Sequence, residues 1–189
     1  MGETHDERER DLVARANRGD GDALEALYSD HRDWVTALGY RFTGSRDDAL
    51  DVLQETFLYV FSKFPGFELT SSMRSFLYPV VKHKSISVLR RRKKLVDLQA
   101  FREGRPQDDL VWHPAEPGGV GLNRLVAGLP EGHREVVWLR FGLDFRLEEI
   151  ARALEIPLGT VKSRLHNALK LLRSTIADAD PDQKTGAGS

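Results

Sequence analysis

Residues 147–172 read LEEIARALEIPLGTVKSRLHNALKLL, and this stretch decides the fold. Leu147, Ile150, Ala151 and Leu154 recur at the spacing of one helical face. Glu155, Ile156 and Pro157 break that pattern. Leu158, Gly159 and Thr160 then open a second helix, whose buried face is expected to be Val161, Leu165, Ala168 and Leu172. A short helix, a tight break and an amphipathic helix together make a helix-turn-helix. The charge pattern adds a function. Between Ile156 and Ala177 there is no acid, while Lys162, Arg164, Lys170 and Arg173 are basic. Thr160, Lys162, Ser163, Arg164, His166 and Asn167 are the candidate contacts, because such side chains read base edges and phosphates in a major groove. The alternative is an ordinary helical hairpin with a solvated basic face; the missing acids and the Gly159-Thr160 opening weigh against it.

Outward from this stretch the same period prevails, and alternation of the strand type is almost absent. Leu12, Val13 and Ala16 mark a first short helix ended by Gly19. A second spans about residues 22–42, with Ala23, Leu24, Leu27, His31, Trp34, Val35 and Leu38 as its stripe. A third starts at Ser45, a good N-cap with Asp48 three residues on, an acidic form of the capping box. Its stripe is Ala49, Val52, Leu53, Thr56, Phe57, Val60 and Phe61. A fourth spans about residues 72–94, and Pro79 inside it is expected to kink or interrupt it. Beyond residue 121 a short helix at 122–127 and another at about 131–141 precede the helix-turn-helix.

Breakers divide the chain. Residues 104–121, GRPQDDLVWHPAEPGGVG, hold three prolines and a cluster of glycines, and the segments on either side have few. The fold class expected is therefore all-α, with two small helical domains at residues 6–94 and 122–177. A flexible linker occupies 95–121 and a disordered tail 178–189.

Composition excludes several classes. The 189 residues contain no cysteine, so neither a disulfide framework nor a thiolate metal site is available. The first residues, MGETHDERERD, are too polar for a secretory signal, and no apolar run approaches a membrane span. A cytoplasmic protein without a membrane segment of its own is expected. The net charge is only −1, but clustering of cations matters more than their sum. The six histidines form no metal-ligand spacing, and no phosphate-cradling glycine loop or nucleophile elbow occurs. The chain is therefore read as no enzyme, with no catalytic residue, metal or cofactor.

Residues 85–94, SISVLRRRKK, form a basic run that includes Arg90, Arg91 and Arg92. Phe67, Tyr78 and His83 precede it, and cations beside exposed rings suit single-stranded DNA, whose bases stack while phosphates are held. For these three side chains packing in the core is an equal alternative, and for Phe57, Phe61 and Phe76 it is the preferred one.

Four stretches carry a family resemblance. RGDGDALEALYSDH (18–31), DDALDVLQETFLYVFSKFPGF (47–67) and SFLYPVVKHKSISVLRRRKK (75–94) resemble region 2 of bacterial sigma factors. Residues 129–173, from LPEGHREVVW to HNALKLLR, resemble region 4. With only these two regions the chain is similar to an extracytoplasmic-function (ECF) sigma factor. The resemblance implies core RNA polymerase as a partner, docked by Asp48, Asp51, Gln54, Glu55 and Phe57, with Asp47 along the same side. It implies capture of unpaired −10 bases by residues 65–73 and the helix through His83, and duplex −35 reading by the second helix of the helix-turn-helix. Promoter DNA is thus the second partner, and an anti-sigma factor is implied as a third. Promoter opening would follow from holding the unpaired strand, since flipping a base costs a few kcal/mol that a pocket must offset. The family commonly has tryptophan where Phe76 stands, asparagine where His83 stands and arginine where Asn167 stands. A helix-turn-helix regulator working without core polymerase would leave the acidic helix and the RRRKK segment unused. A sigma mimic that only sequesters an anti-sigma factor usually adds a receiver domain, and none is expected in these 189 residues.

Overall fold

The computed structural model describes the backbone of residues 3–103 and 126–179, and the side chains of 6–95 and 126–174. All seven complete elements among them are helices. They fall into two compact units, 1–116 and 117–189. The expected linker from 104 onward, most of the helix at 122–127 and the tail from 180 lie outside the described residues.

The first unit holds α1 (Glu3–Ala16), α2 (Gly21–Thr43), α3 (Arg46–Phe61) and α4 (Met73–Glu103). α2 packs against the other three helices. Its start is set by Asp20, whose carboxylate accepts from the Ala23 N–H at 3.2 Å. Gly44 ends it at φ +68°, the left-handed conformation a glycine adopts without penalty, and its N–H reaches the Tyr40 carbonyl at 2.7 Å. Gly39 lets α3 approach, for a methyl there would lie 3.3 Å from Val52 and 3.4 Å from the Ala49 backbone. Ala23, Leu27, Val35, Ala49, Val52 and Val60 are fully buried, as the sequence periodicity predicts.

Two local expectations change. Ser45 caps α3 by accepting from the Asp48 N–H at 3.3 Å, but its own N–H turns to Thr43 Oγ1 at 3.4 Å, and the Asp48 carboxylate pairs with Arg92. Only half of the capping box forms. α4 stays one helix across Pro79, because Leu77 and Tyr78 before it and Val81 after it are buried. Burying each such side chain stabilises by roughly 1.5–3 kcal/mol, which offsets the roughly 3 kcal/mol cost of an interior proline. α4 also runs to Glu103 rather than ending near Lys94, since the first breaker is Gly104.

The second unit holds α5 (Glu131–Phe141), α6 (Leu147–Ala153) and α7 (Leu158–Ala179). α7 packs on α5 and α6 through Val161, Leu165, Ala168 and Leu172, the predicted face, with Val126, Leu129 and Val137 opposite. The turn is a helix-terminating motif: Ile156 N–H reaches the Ala151 carbonyl at 3.0 Å and Glu155 N–H that of Arg152 at 3.2 Å. Glu155 takes the left-handed position, φ +53°, where glycine would ordinarily stand. Pro157 then offers its carbonyl to the Thr160 and Val161 N–H groups, so α7 starts at Leu158.

Candidate nucleic-acid interface

In the second unit the outward face of α7 carries Gly159, Lys162, Ser163, His166, Asn167 and Lys170, all exposed. Their spacing places them on one side of the helix, opposite Val161 and Ala168. Four of the six expected contacts, Lys162, Ser163, His166 and Asn167, stand on this face. Thr160 and Arg164 are half-buried at its margin. The Arg164 guanidinium lies over α5, so that a methyl on Gly132 would meet it at 3.0 Å. The Ser163 hydroxyl donates to the Thr160 carbonyl at 3.0 Å and keeps its lone pairs for a donor on a ligand. Glu148 is exposed on α6, and the Glu149 carboxylate caps that helix by accepting from the Arg146 N–H at 2.7 Å.

In the first unit the expected strand-binding residues separate. His83 and Arg90 are exposed on α4. Arg91 and Arg92 are exposed too, but Arg91 is ion-paired with Glu55 and Arg92 with Asp48 at 3.1 Å; Lys84 also meets Glu55 at 3.6 Å. Tyr78, 1% exposed, packs beside Phe42 with ring centroids 6.1 Å apart. Phe67, 8% exposed, lies between Phe64 and Phe76 at 5.3 and 4.7 Å. Both rings are therefore part of the packing beneath the surface and do not offer a stacking face here, because α4 lies against α2 and the 62–72 segment folds back on it. Of the two readings of these rings, packing in the core is the one the structure shows.

The expected polymerase-docking residues on α3 divide as well. Asp51 and Gln54 are exposed, with Asp47 on the same side, while Asp48 and Glu55 face α4 in the ion pairs just described. Phe57 is buried edge-on to Tyr28 with centroids 4.8 Å apart, so it shapes the helix and does not contact a partner in this conformation. Two residues on the outward face were not foreseen: Leu50, 44% exposed, and Leu58, 70% exposed. Positions 47, 50, 51, 54 and 58 follow the helical repeat and give α3 a face that mixes acid, amide and leucine. The signal was present in the sequence as apolar residues off the main stripe.

Known proteins share this architecture. Residues 27–95 match the Sigma-70 region 2 family and residues 120–172 match the Sigma-70, region 4 family. A probable RNA polymerase sigma-C factor of Mycobacterium bovis and the ECF RNA polymerase sigma factor SigC of Mycobacterium tuberculosis are each 30% identical over 196 residues, covering 96% of each chain. The chain belongs to the ECF sigma factor family. Membership carries the general role of that family, binding core RNA polymerase and directing initiation at promoters. The ECF sigma factor SigW of Bacillus subtilis is 26% identical, covering 88% of this sigma factor and 95% of that one. Among solved structures, CnrH in complex with the cytosolic domain of CnrY has a TM-score of 0.61 at 24% identity, covering 92% of this chain and 99% of that chain. RpoE of Bartonella quintana, solved with the anti-sigma factor NepR, gives a TM-score of 0.52 at 22% identity over 80% of this chain and 95% of that chain. These two show the fold. No described helix is long and apolar enough to cross a membrane.

Proposed function

We propose that this sigma factor brings core polymerase to bipartite promoters, with the second unit reading a duplex −35 element and the first capturing an unpaired −10 strand. The observation that carries the reading is the face of α7, where Lys162, Ser163, His166 and Asn167 stand exposed on an acid-free surface. Side chains of this kind on the second helix of a helix-turn-helix suit the major groove. In the first unit residues 65–73 and the exposed His83 and Arg90 are the strand-capturing set, supported by Phe67 and Tyr78 from beneath. Arg91 and Arg92 belong to this set once they leave their carboxylates. The outward face of α3, with Asp51, Gln54, Leu50 and Leu58, is the polymerase surface; exposed leucines rimmed by acids suit a partly apolar, partly basic partner. The two units follow this division of labour, with the first extended by α4 to Glu103 and the second by α7 to Ala179. The protein acts in the cytoplasm with polymerase, without a cofactor or catalytic step of its own. An anti-sigma protein is the regulatory partner, by analogy with the Bartonella complex.

The test is run-off transcription with purified core polymerase on candidate promoters, alongside Leu50→Ala and Leu58→Ala. The wild type is expected to bind core and start transcripts. The two variants should keep their thermal stability while core affinity falls about tenfold or more, as for interface anchors. A chain that neither binds core nor directs initiation removes the proposal.

A further inference from the structure

α1 lies before the residues matched by the region 2 family, yet it touches both ends of the segment assigned above to −10 capture. At one end, the Asn17 side chain makes three hydrogen bonds to the chain some fifty positions away. Its Oδ1 accepts from the Gly66 N–H at 2.7 Å and the Phe67 N–H at 3.0 Å, and its Nδ2 donates to the Phe67 carbonyl at 2.8 Å. Gly66 sits at φ +104°, a conformation in which a side chain would be strained. At the other end, the Glu9 carboxylate accepts from the Met73 N–H, the first of α4, at 2.7 Å. Glu9 is 2% exposed, and its other oxygen lies 3.3 Å from His31 Nε2 on α2. Asn17 is itself fixed, since its N–H bonds the Val13 carbonyl at 3.0 Å and the Arg15–Asp20 pair at 2.8 Å closes the corner after it.

Between these anchors the crest of the segment is open: Glu68 and Thr70 are exposed, while Phe67 and Met73 are buried. Asn17 directly follows α1, eight residues after Glu9, so the two anchoring residues stand about 12 Å apart along its axis. A segment with both ends fixed presents its crest in one conformation and loses less freedom when a strand binds.

We propose that α1 is a clasp that preforms the −10 capture segment, with Asn17 and Glu9 as positioning residues for base selection. This rests on the assignment of residues 65–73 to −10 capture. A helix present only to complete the hydrophobic bundle would need Leu12, Val13 and Ala16, but neither a buried carboxylate on the Met73 amide nor an amide side chain bonded three times to the segment.

The experiment uses holoenzyme, full chain with core polymerase, and fork-junction DNA whose unpaired strand is randomised; retained strands are sequenced. The wild type is expected to enrich particular bases at the captured positions. Asn17→Ala should lower that enrichment by on the order of tenfold, as expected from losing hydrogen bonds that order a binding loop, while core affinity stays within about twofold. Glu9→Gln, which keeps an oxygen for the Met73 N–H, should retain more of the preference than Asn17→Ala. Leu12→Ala serves as the comparison, since it loosens the packing of α1 and leaves the Asn17 and Glu9 side chains unchanged; it should lower the melting temperature and keep the base preference. Full base preference in Asn17→Ala overturns the proposal. So does a parallel loss of core binding and base preference in Asn17→Ala, which would make α1 a scaffold only. A wild-type holoenzyme with no base preference removes the −10 assignment and the clasp together, whereas a selective wild type with an equally selective Asn17→Ala removes the clasp alone.

Discussion

Replacing Lys162 and Arg164 separately with alanine distinguishes two cations that look alike in sequence. Lys162 is exposed on the outward face of α7, whereas the half-buried Arg164 lies across Gly132 of α5. A lysine that neutralises one phosphate contributes about 0.9 to the slope of log affinity against log salt. Lys162→Ala holoenzyme should therefore bind duplex −35 DNA with a slope shallower by about 0.9. Between about 50 and about 200 mM salt the wild-type and variant affinities should then converge by about 3.5-fold, the fourfold change in salt raised to that power. Arg164→Ala should leave the slope unchanged and instead lower the stability of the second unit by about 1 kcal/mol, through loss of the packed stem. The assay is fluorescence anisotropy on a duplex over a salt series, with thermal melts of both variants. An unchanged slope for Lys162→Ala would move the reading surface off this face. A slope loss in Arg164→Ala equal to that of Lys162→Ala would mean that the guanidinium leaves Gly132 for phosphate, refuting the division made here.

Two further outcomes test the folding logic. Gly142→Ala places a methyl 2.5 Å from Trp138 Nε1 and 2.8 Å from the Trp138 carbonyl, so it should destabilise the second unit by about 1–3 kcal/mol, read as a lower denaturant midpoint. Asp20 is held below the usual carboxylate range, first by its hydrogen bond from Arg15 and then by the Ala23 N–H. A lowered folded value means that its stabilisation is present above the ordinary carboxylate pKa of about 3.9 and is lost as pH falls through the folded value. The urea midpoints of wild type and Asp20→Asn should therefore differ at neutral pH and draw together on acidification; a gap that stays constant with pH would refute this account of the cap.

The helix-turn-helix was legible because its period alone fixes which side of α7 is inward: Val161, Leu165, Ala168 and Leu172 can be buried together only one way. The fold class and the succession of helices followed from the same signal. What the sequence concealed depends on neighbours. Asp47, Asp48, Asp51 and Glu55 look like one acidic side, but only the packing of α4 shows that Asp48 and Glu55 face its arginines. Tyr78 beside a basic run has the look of a stacking platform, yet the contact with Phe42 takes it into the core. Asn17 resembles an ordinary helix terminator; its hydrogen bonds run to a segment far along the chain, and no local pattern encodes them. The end of α4 lies beyond the expected residue 94, because no glycine or proline stands before Gly104.

The carboxylates on Arg91 and Arg92 alter what a basic run can do. A phosphate that meets these arginines meets them beside Glu55 or Asp48, so the strand gains less than it would from an arginine with no carboxylate next to it. An arbitrary polyanion then gains less from this run than its charge alone suggests. A strand whose bases are also held nearby would gain more than one held by its phosphates only. Two carboxylates of the neighbouring helix thus temper the run, and its stickiness is lower than a count of its cations implies.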